Sequence, residues 1–507
     1  MLVVIRTFAL GILIFVTLFI LQKWQAYSAF RNAATKLGCG RPPKYPHKDT
    51  IWGSDLVKER ALAARSGRQM QLYMRHFGIL GKTWEENFHR TKVINTMEGI
   101  NIQHVTTTGF QHYAKISQKD FTPFLGKGIF SQEGAAWRHS RDLIKPIFTR
   151  SEISDVNSLD IHVTRFLSMI PSDGTMIDLQ VPLHRLFLDI STEFLFGQST
   201  CSLLQPGDSN ESMEFVKTFN DALMGVGKRR LAGRLSPLIY YFDKDWRRAY
   251  EKVHAWVDAH VRRALAENLS ESPGSSDTET GSQKRYILLH EMAKQITDPF
   301  ELRFQILNVL LPARDSVSIL MGNALFHLVR NPHIWSQLRT ESISLGDTEL
   351  TYEVLKSLQL FRYVINETLR LQGPSGKVQR VATCNTVLPS GGGLEGKAPI
   401  FVEKGTIIAL NIWGLHHDED IWGTDVMEFR PERWQERRLP WQFVPFLGGA
   451  RICPAQQQIL THATYLLVRM TKMFARIENR DSCEEYIELT KMTTESRNGI
   501  KVAFFAQ

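Results

Sequence analysis

Residues 443–458 read FVPFLGGARICPAQQQ. The sulfur of Cys453 sits there among glycines, an arginine and a proline, with no second cysteine nearby. The chain has five cysteines, Cys39, Cys201, Cys384, Cys453 and Cys483. An odd and scattered set is no disulfide framework and suits a reducing compartment. The short ligand spacing of a zinc site is missing too. The local chemistry points elsewhere. Glycines before the cysteine let backbone amides approach the sulfur. Pro454 fits the opening of a helix that continues through AQQQILTHATYLLVRM. A thiolate at a helix N-terminus is stabilised by the helix dipole. Such a sulfur suits axial ligation of a haem iron, where a thiolate pushes electron density toward the metal.

The first residues differ in kind from the rest. LVVIRTFALGILIFVTLFIL, residues 2–21, is apolar apart from Arg6 and two threonines. About 20 such residues cross a bilayer as a helix. Lys23, Arg31 and Lys36 follow, and positive charge on that side places the body of the chain in the cytoplasm. A cleaved signal peptide is the competing reading, but the run exceeds the usual apolar region of about 7–15 residues. GCGRPPKYP, residues 38–46, reads as a stiff hinge. The expected organisation is an anchor over 1–22, a linker with a proline hinge over 23–46, and one large unit over 47–507. A mean hydropathy of −0.20 excludes a polytopic membrane protein. The net charge of +9 favours acidic partners or anionic membrane surfaces. No arginine-rich block or zinc-finger spacing supports nucleic-acid binding.

Most of the body reads as helix. Asp298 caps, and Pro299 opens, a run of about 31 residues that closes at Asn331 and Pro332. Its centre is apolar on nearly all sides, yet Pro312, Arg314, Asp315 and Ser316 sit within it. A proline there costs about 3 kcal/mol and breaks the hydrogen-bond ladder. A local rule broken at one spot marks a functional site. A second helix runs through LQLFRYVINETLRLQ and stops at Gly373–Pro374. Residues 377–411 have strand character, with GTIIALNI the best case. SESPGSSDTETGSQ, residues 270–283, reads as a flexible surface loop. GGGLEGKA, residues 391–398, has the spacing of a phosphate loop but ends in alanine and precedes no helix, so it reads as a plain loop.

Four motifs in order resemble the cytochrome P-450 superfamily of haem-thiolate monooxygenases. FLGGARICPA resembles its cysteine-ligand loop, with Phe446, Gly449, Arg451 and Cys453 in the pattern F-x-x-G-x-R-x-C. Glu367–Arg370, ETLR, resembles the E-x-x-R helix. FRPERW, 429–434, resembles the P-E-R-F segment, and WRHSR, 137–141, the W-x-x-x-R helix. The resemblance implies a mainly α fold with small β-sheets behind one N-terminal transmembrane helix. It implies Cys453 as the axial ligand of heme b. It implies Arg451, Arg141, Trp137, Arg380 and Phe446 as further haem contacts, because arginine forks suit the two propionates. It implies a buried triad of Glu367, Arg370 and Arg433. His139 is given no iron-binding role. PARDSV, 312–317, stands where the family has A-G-x-D/E-T-T, so Asp315 and Ser316 are the expected proton-delivering pair.

GIFSQEGAAWRHSRDLIKPIF, FRYVINETLRL and DIWGTDVMEFRPERW look most like the fungal branch that hydroxylates n-alkanes and fatty acids. The altered PARDSV leans toward secondary-metabolite biosynthesis. The reading implies a small hydrophobic substrate contacted from 105–128, 219–233, 374–378 and 493–499. It also implies electrons from NADPH through NADPH–cytochrome P-450 reductase, with cytochrome b5 as a second donor, and single-pass residence in the endoplasmic reticulum membrane. A haem-thiolate isomerase or dehydratase, or a non-catalytic haem-binding protein, are the alternative readings.

Overall fold

The computed structural model describes residues 2–116, 122–148, 156–204, 210–232, 236–270, 287–435 and 440–506. Helices dominate, and four small sheets flank them. The polar loop at 270–283 lies outside the described residues beyond Ser270, which ends the helix Lys244–Ser270.

The N-terminal helix is one unbroken element, Leu2–Leu37, where the sequence suggests a linker from residue 23. Residues 23–37 contain no glycine or proline and include four alanines, so helix propensity outlasts the apolar run. Within it, Leu13–Leu37 is long and apolar enough to cross a membrane. Its last turns are docked. Ala33 is buried, and the Arg41 guanidinium lies 4.5 Å above the Phe30 ring. Gly40 N donates to Pro399 O at 2.8 Å, and a Cβ at Gly40 would fall 2.2 Å from Gly393 N. Only glycine lets the chain run this close to the hairpin it joins.

The largest sheet has the order β1-β2-β8-β5-β3. It is built from β1 (Thr83–Phe88), β2 (Thr91–Thr96), β3 (Tyr113–Ala114), β5 (Lys377–Ala382) and β8 (Ile407–Asn411). The strand character of 377–411 resolves into these last two strands and the hairpin of β6 (Thr386–Gly392) and β7 (Ala398–Val402). GGGLEGKA forms the turn of that hairpin, with no helix following to receive a phosphate. A three-stranded sheet joins β4 (Asp173–Asp178), β12 (Lys501–Phe505) and β9 (Arg476–Asn479). β10 (Glu488–Thr490) and β11 (Thr494–Ser496) make a separate hairpin.

The central helix, Pro299–Leu328, has the Asp298 carboxylate accepting from Phe300 N at 3.0 Å and keeps Pro312 inside. It belongs to two cores. Leu302 to Leu311 pack with Asn210–Ala232 and Lys244–Ser270. Val317 to Leu328 pack with Gln456–Met473 and Gln359–Gln372. Residues 312–316 belong to neither apolar cluster, so the unusual pentapeptide lies at their seam.

Removing residues 2–24 is expected to leave the unfolding midpoint of the body unchanged. Removing 2–36 also strips Phe30 and Ala33 and is expected to cost about 1–2 kcal/mol, read by denaturant unfolding.

Candidate functional site

The cysteine loop is held by its own backbone and by a neighbouring turn. Cys453 N donates to Phe446 O at 3.0 Å and Ile452 N to Gly449 O at 3.1 Å. Gly449 has φ of +70°, and a Cβ there would lie 1.9 Å from Thr106 O. The loop can therefore seat against residues 104–108 only with glycine at that position. Phe446, Cys453 and Ala455 pack against the edge of the core. The helix behind begins at Gln456, with Ala455 as its cap. Burial pushes the Cys453 thiol up, and the Ala455 amide and Arg141 only partly offset it. Such a sulfur becomes a thiolate when a bound metal takes the place of its proton.

Beside the loop lies a group of cations. Arg451 reaches Glu133 Oε2 at 2.5 Å and Gln132 O at 3.3 Å, and its guanidinium carbon lies 4.2 Å from the buried Trp137 ring. Arg380, buried on β5, is lowered to about 10 by burial and then by Arg451. Lys115 Nζ donates to Ile129 O at 3.1 Å and Phe130 O at 3.0 Å. It is pulled down to about 7 by burial first, then by Arg451 and Arg380. Among the described residues, these three cations thus face one carboxylate, Glu133, and Arg451 Nη1 is buried with no hydrogen-bond partner. The group carries more positive charge than Glu133 answers, and the anionic propionates of haem suit such a cradle, so the residues fit the cofactor. Lys115 and Glu133 were not legible as site residues, since nothing in HYAKIS or SQEGAAW distinguishes them. Arg141 is placed differently from the other arginines. Its Nη1 donates to Ile452 O at 3.1 Å, bracing the carbonyl before the ligand. His139 is half exposed and lies 3.8 Å from Glu301, well suited to a surface role.

Glu367, Arg370 and Arg433 meet in the buried interior. Arg370 Nε and Nη2 donate to Glu367 Oε2 and Oε1 at 2.9 and 2.8 Å. Arg433 Nε donates to Oε1 at 2.7 Å. Trp434 Nε1 donates to Oε2 at 3.0 Å, so every lone pair of the carboxylate is used. The triad reaches the cysteine loop through His416. Arg370 Nη1 donates to His416 O at 3.0 Å, and the His416 ring accepts from Val444 N at 3.0 Å through Nε2. Burial, reinforced by Arg370, pulls the His416 imidazole down to about 3. It is therefore neutral, as an acceptor nitrogen must be. His416 had no sequence signal beyond sitting in GLHHDED.

On the central helix, Asp315 Oδ1 lies 3.4 Å from Arg314 Nη1 and 3.9 Å from His184 Nδ1. It forms no hydrogen bond among the described residues. Ser316 is half-buried. The hydroxyl tied into this group is that of Ser318, 2.8 Å from His184 Nδ1.

A half-buried thiol, a cationic cradle short of negative charge and a mainly helical fold define a haem-thiolate protein. The description "Cytochrome P450" matches residues 58–498, and the chain belongs to that family. Its relatives bear this out. The cytochrome P450 monooxygenase apdE of Emericella nidulans is 36% identical over 496 residues, 96% of this chain and 92% of that protein. The cytochrome P450 monooxygenase himC of Aspergillus japonicus is 36% identical over 477 residues, 93% and 85%. Cytochrome P450 52A12 of Debaryomyces hansenii is 35% identical over 481 residues, 91% and 90%. The protein is thus a cytochrome P450 monooxygenase with a haem-thiolate cofactor.

Two outcomes follow from the geometry. Glu367→Gln leaves buried Arg370 facing no carboxylate and Arg433 with Asp425 alone, and is expected to destabilise by about 3–5 kcal/mol, measured by denaturant unfolding. Lys115 is a base held below its ordinary value of 10.5. In the haem-free chain its contribution to stability therefore falls as pH drops from 10.5 toward about 7, then levels. Lys115→Met is expected to flatten that part of the pH–stability curve while weakening haem retention.

Proposed function

We propose that this chain inserts one atom of O2 into a small hydrophobic substrate. That substrate is aliphatic and fatty-acid-like or an intermediate of fungal secondary metabolism. Electrons come from NADPH through a membrane-bound reductase, with cytochrome b5 as a second donor. The observation that carries this reading is the cradle itself, three cations against one carboxylate beside Cys453. Haem bound there supplies the centre at which O2 is reduced. The chain's own residues do the rest. Cys453 holds the metal, with Phe446 packed at the loop beside it. Arg451, Arg380 and Lys115 bind the propionates, Trp137 walls the Arg451 guanidinium, and Arg141 fixes the loop. Pro312 has no N–H to give to Asn308 O, which leaves a carbonyl in the helix free for water. Asp315 delivers a proton beside that opening, and Ser316, one residue on, passes it by its hydroxyl.

The helix Leu2–Leu37 anchors the body on the cytoplasmic face of the endoplasmic reticulum. Arg138 and Lys145, exposed near the cysteine loop, offer cations to an acidic reductase. Substrate contacts fall to 105–128, 219–233, 374–378 and 493–499, of which 117–121 and 233 lie outside the described residues.

The decisive experiment gives the full chain a fungal reductase and candidate aliphatic substrates, then measures oxygen, NADPH and product together. One oxygen and one NADPH per hydroxylated product is expected. Product formed without oxygen use would make the chain an isomerase or dehydratase instead. In the same protein, reduction under carbon monoxide is expected to give the red-shifted band of thiolate ligation, and Cys453→His to abolish it.

A further inference from the structure

Asp315 is half-buried at the seam of two cores, its side chain 15% exposed, and a carboxylate that gives up a proton there must be resupplied. The groups that face it come from two elements. Arg314 is its neighbour on the central helix. His184, on the helix Gln180–Phe196, stands across from it with Nδ1 3.9 Å from Asp315 Oδ1. The far side of the same ring meets the β10–β11 hairpin, where His184 Nε2 is 2.8 Å from Glu495 Oε2. Lys491 Nζ donates to the other oxygen of Glu495 at 2.5 Å. The row Asp315, His184, Glu495, Lys491 leads outward, because Lys491 is about one-third exposed while Glu495 is 7% exposed at its side chain.

Hydrogen-bond bookkeeping sets the state of the ring. Glu495 is held down to about 2; burial opposes this, and His184 and Lys491 overcome it. It is therefore an anion and accepts from Nε2–H. The Ser318 hydroxyl lies 3.0 Å from Arg314 O and 2.9 Å from Asp315 O, so its hydrogen has carbonyls to go to. Its oxygen is then the acceptor for Nδ1–H at 2.8 Å. Both ring nitrogens then have an acceptor in reach, Ser318 Oγ at Nδ1 and Glu495 at Nε2. On the other sides Arg185 shares its helix, and Tyr486 and Glu488 sit near Glu495.

We propose that His184 is a positioning and proton-carrying residue, the link that reloads Asp315 from solvent at the β10–β11 hairpin. The step is a transfer of one proton. As the Asp315 carboxyl swings in from 3.9 Å, the Nδ1–H bond breaks, its electron pair stays on nitrogen, and an O–H bond forms on Asp315. The neutral ring then turns its bare nitrogen toward the Glu495 side, where water near Lys491 returns the proton. The proposal rests on Asp315 delivering protons and extends that role to residues 131 positions earlier and 180 later in the chain.

The test compares His184→Gln, His184→Arg, Glu495→Gln and Asp315→Asn in the full-length haem protein with reductase. Nitrogen NMR of the His184 ring comes first, since it needs no turnover. Both ring nitrogens are expected to be protonated at neutral pH in the parent, and one to lose its proton in Glu495→Gln. A neutral ring in the parent overturns the proposal. In turnover, His184→Gln is expected to lower product per NADPH about tenfold, with peroxide and the solvent isotope effect rising and substrate binding unchanged. Arginine keeps the charge but exchanges no proton near neutral pH. His184→Arg is expected to fold and bind substrate yet stay uncoupled. Restored coupling in His184→Arg would reduce His184 to a structural cation and overturn the proposal. If Asp315→Asn couples normally, the proton-delivery reading of Asp315 fails. If Asp315→Asn uncouples while His184→Gln does not, that reading stands and this proposal alone fails. Should His184→Gln not fold, the near-isosteric Glu495→Gln decides by the same two readouts.

Discussion

Glu367 carries a negative charge where water does not reach, and two arginines and an indole answer it. A buried ion group of this kind gains little net stability over apolar packing. What it provides is position. Arg370 also holds the carbonyls of His416, Val426 and Glu428, and Arg433 those of Trp422 and Asp425. One helix thereby fixes a stretch of irregular chain that has no ladder of its own. Through the neutral His416 ring the same network reaches Val444, at the start of the loop carrying Cys453. The sulfur is placed by an electrostatic scaffold, not by the helix that follows it.

The cradle works in the opposite sense. Lys115, Arg380 and Arg451 repel one another, and Glu133 answers only part of that charge. Bringing these cations together costs free energy until anions arrive. Site and scaffold are complementary: one is electrostatically complete within the protein, the other is complete with cofactor. Charges left short at a cofactor pocket are an expected place for local rules to fail.

What could be read from sequence was whatever depends on short spacing. Glu367 and Arg370 are one helical turn apart, Cys453 is framed by Gly449 and Pro454, and Asp298–Pro299 announces the central helix. The mainly helical fold with small sheets was legible on the same grounds, as were the strands between 377 and 411. The N-terminal helix continues to Leu37, past the apolar run, because helix propensity outlasts apolarity there. Burial of the Cys453 thiol, a tertiary effect, was not legible from the loop's own spacing. Lys115, His416, His184 and Glu495 escaped because their partners are remote. His184 and Glu495 are 311 residues apart, and no periodicity encodes such a meeting.

The triad also imposes an order in time. Arg433 lies 66 positions after Glu367, so the helix bearing Glu367 leaves the ribosome before its second arginine exists. At translation rates of about 5–20 residues per second, that interval is roughly 3–13 s. During it Glu367 has Arg370 alone, and burying a half-answered pair is costly. The nascent helix Gln359–Gln372 therefore waits at the surface of the growing chain. The interior closes only as the last part of the polypeptide emerges, and a cofactor can enter for as long as that door stands open.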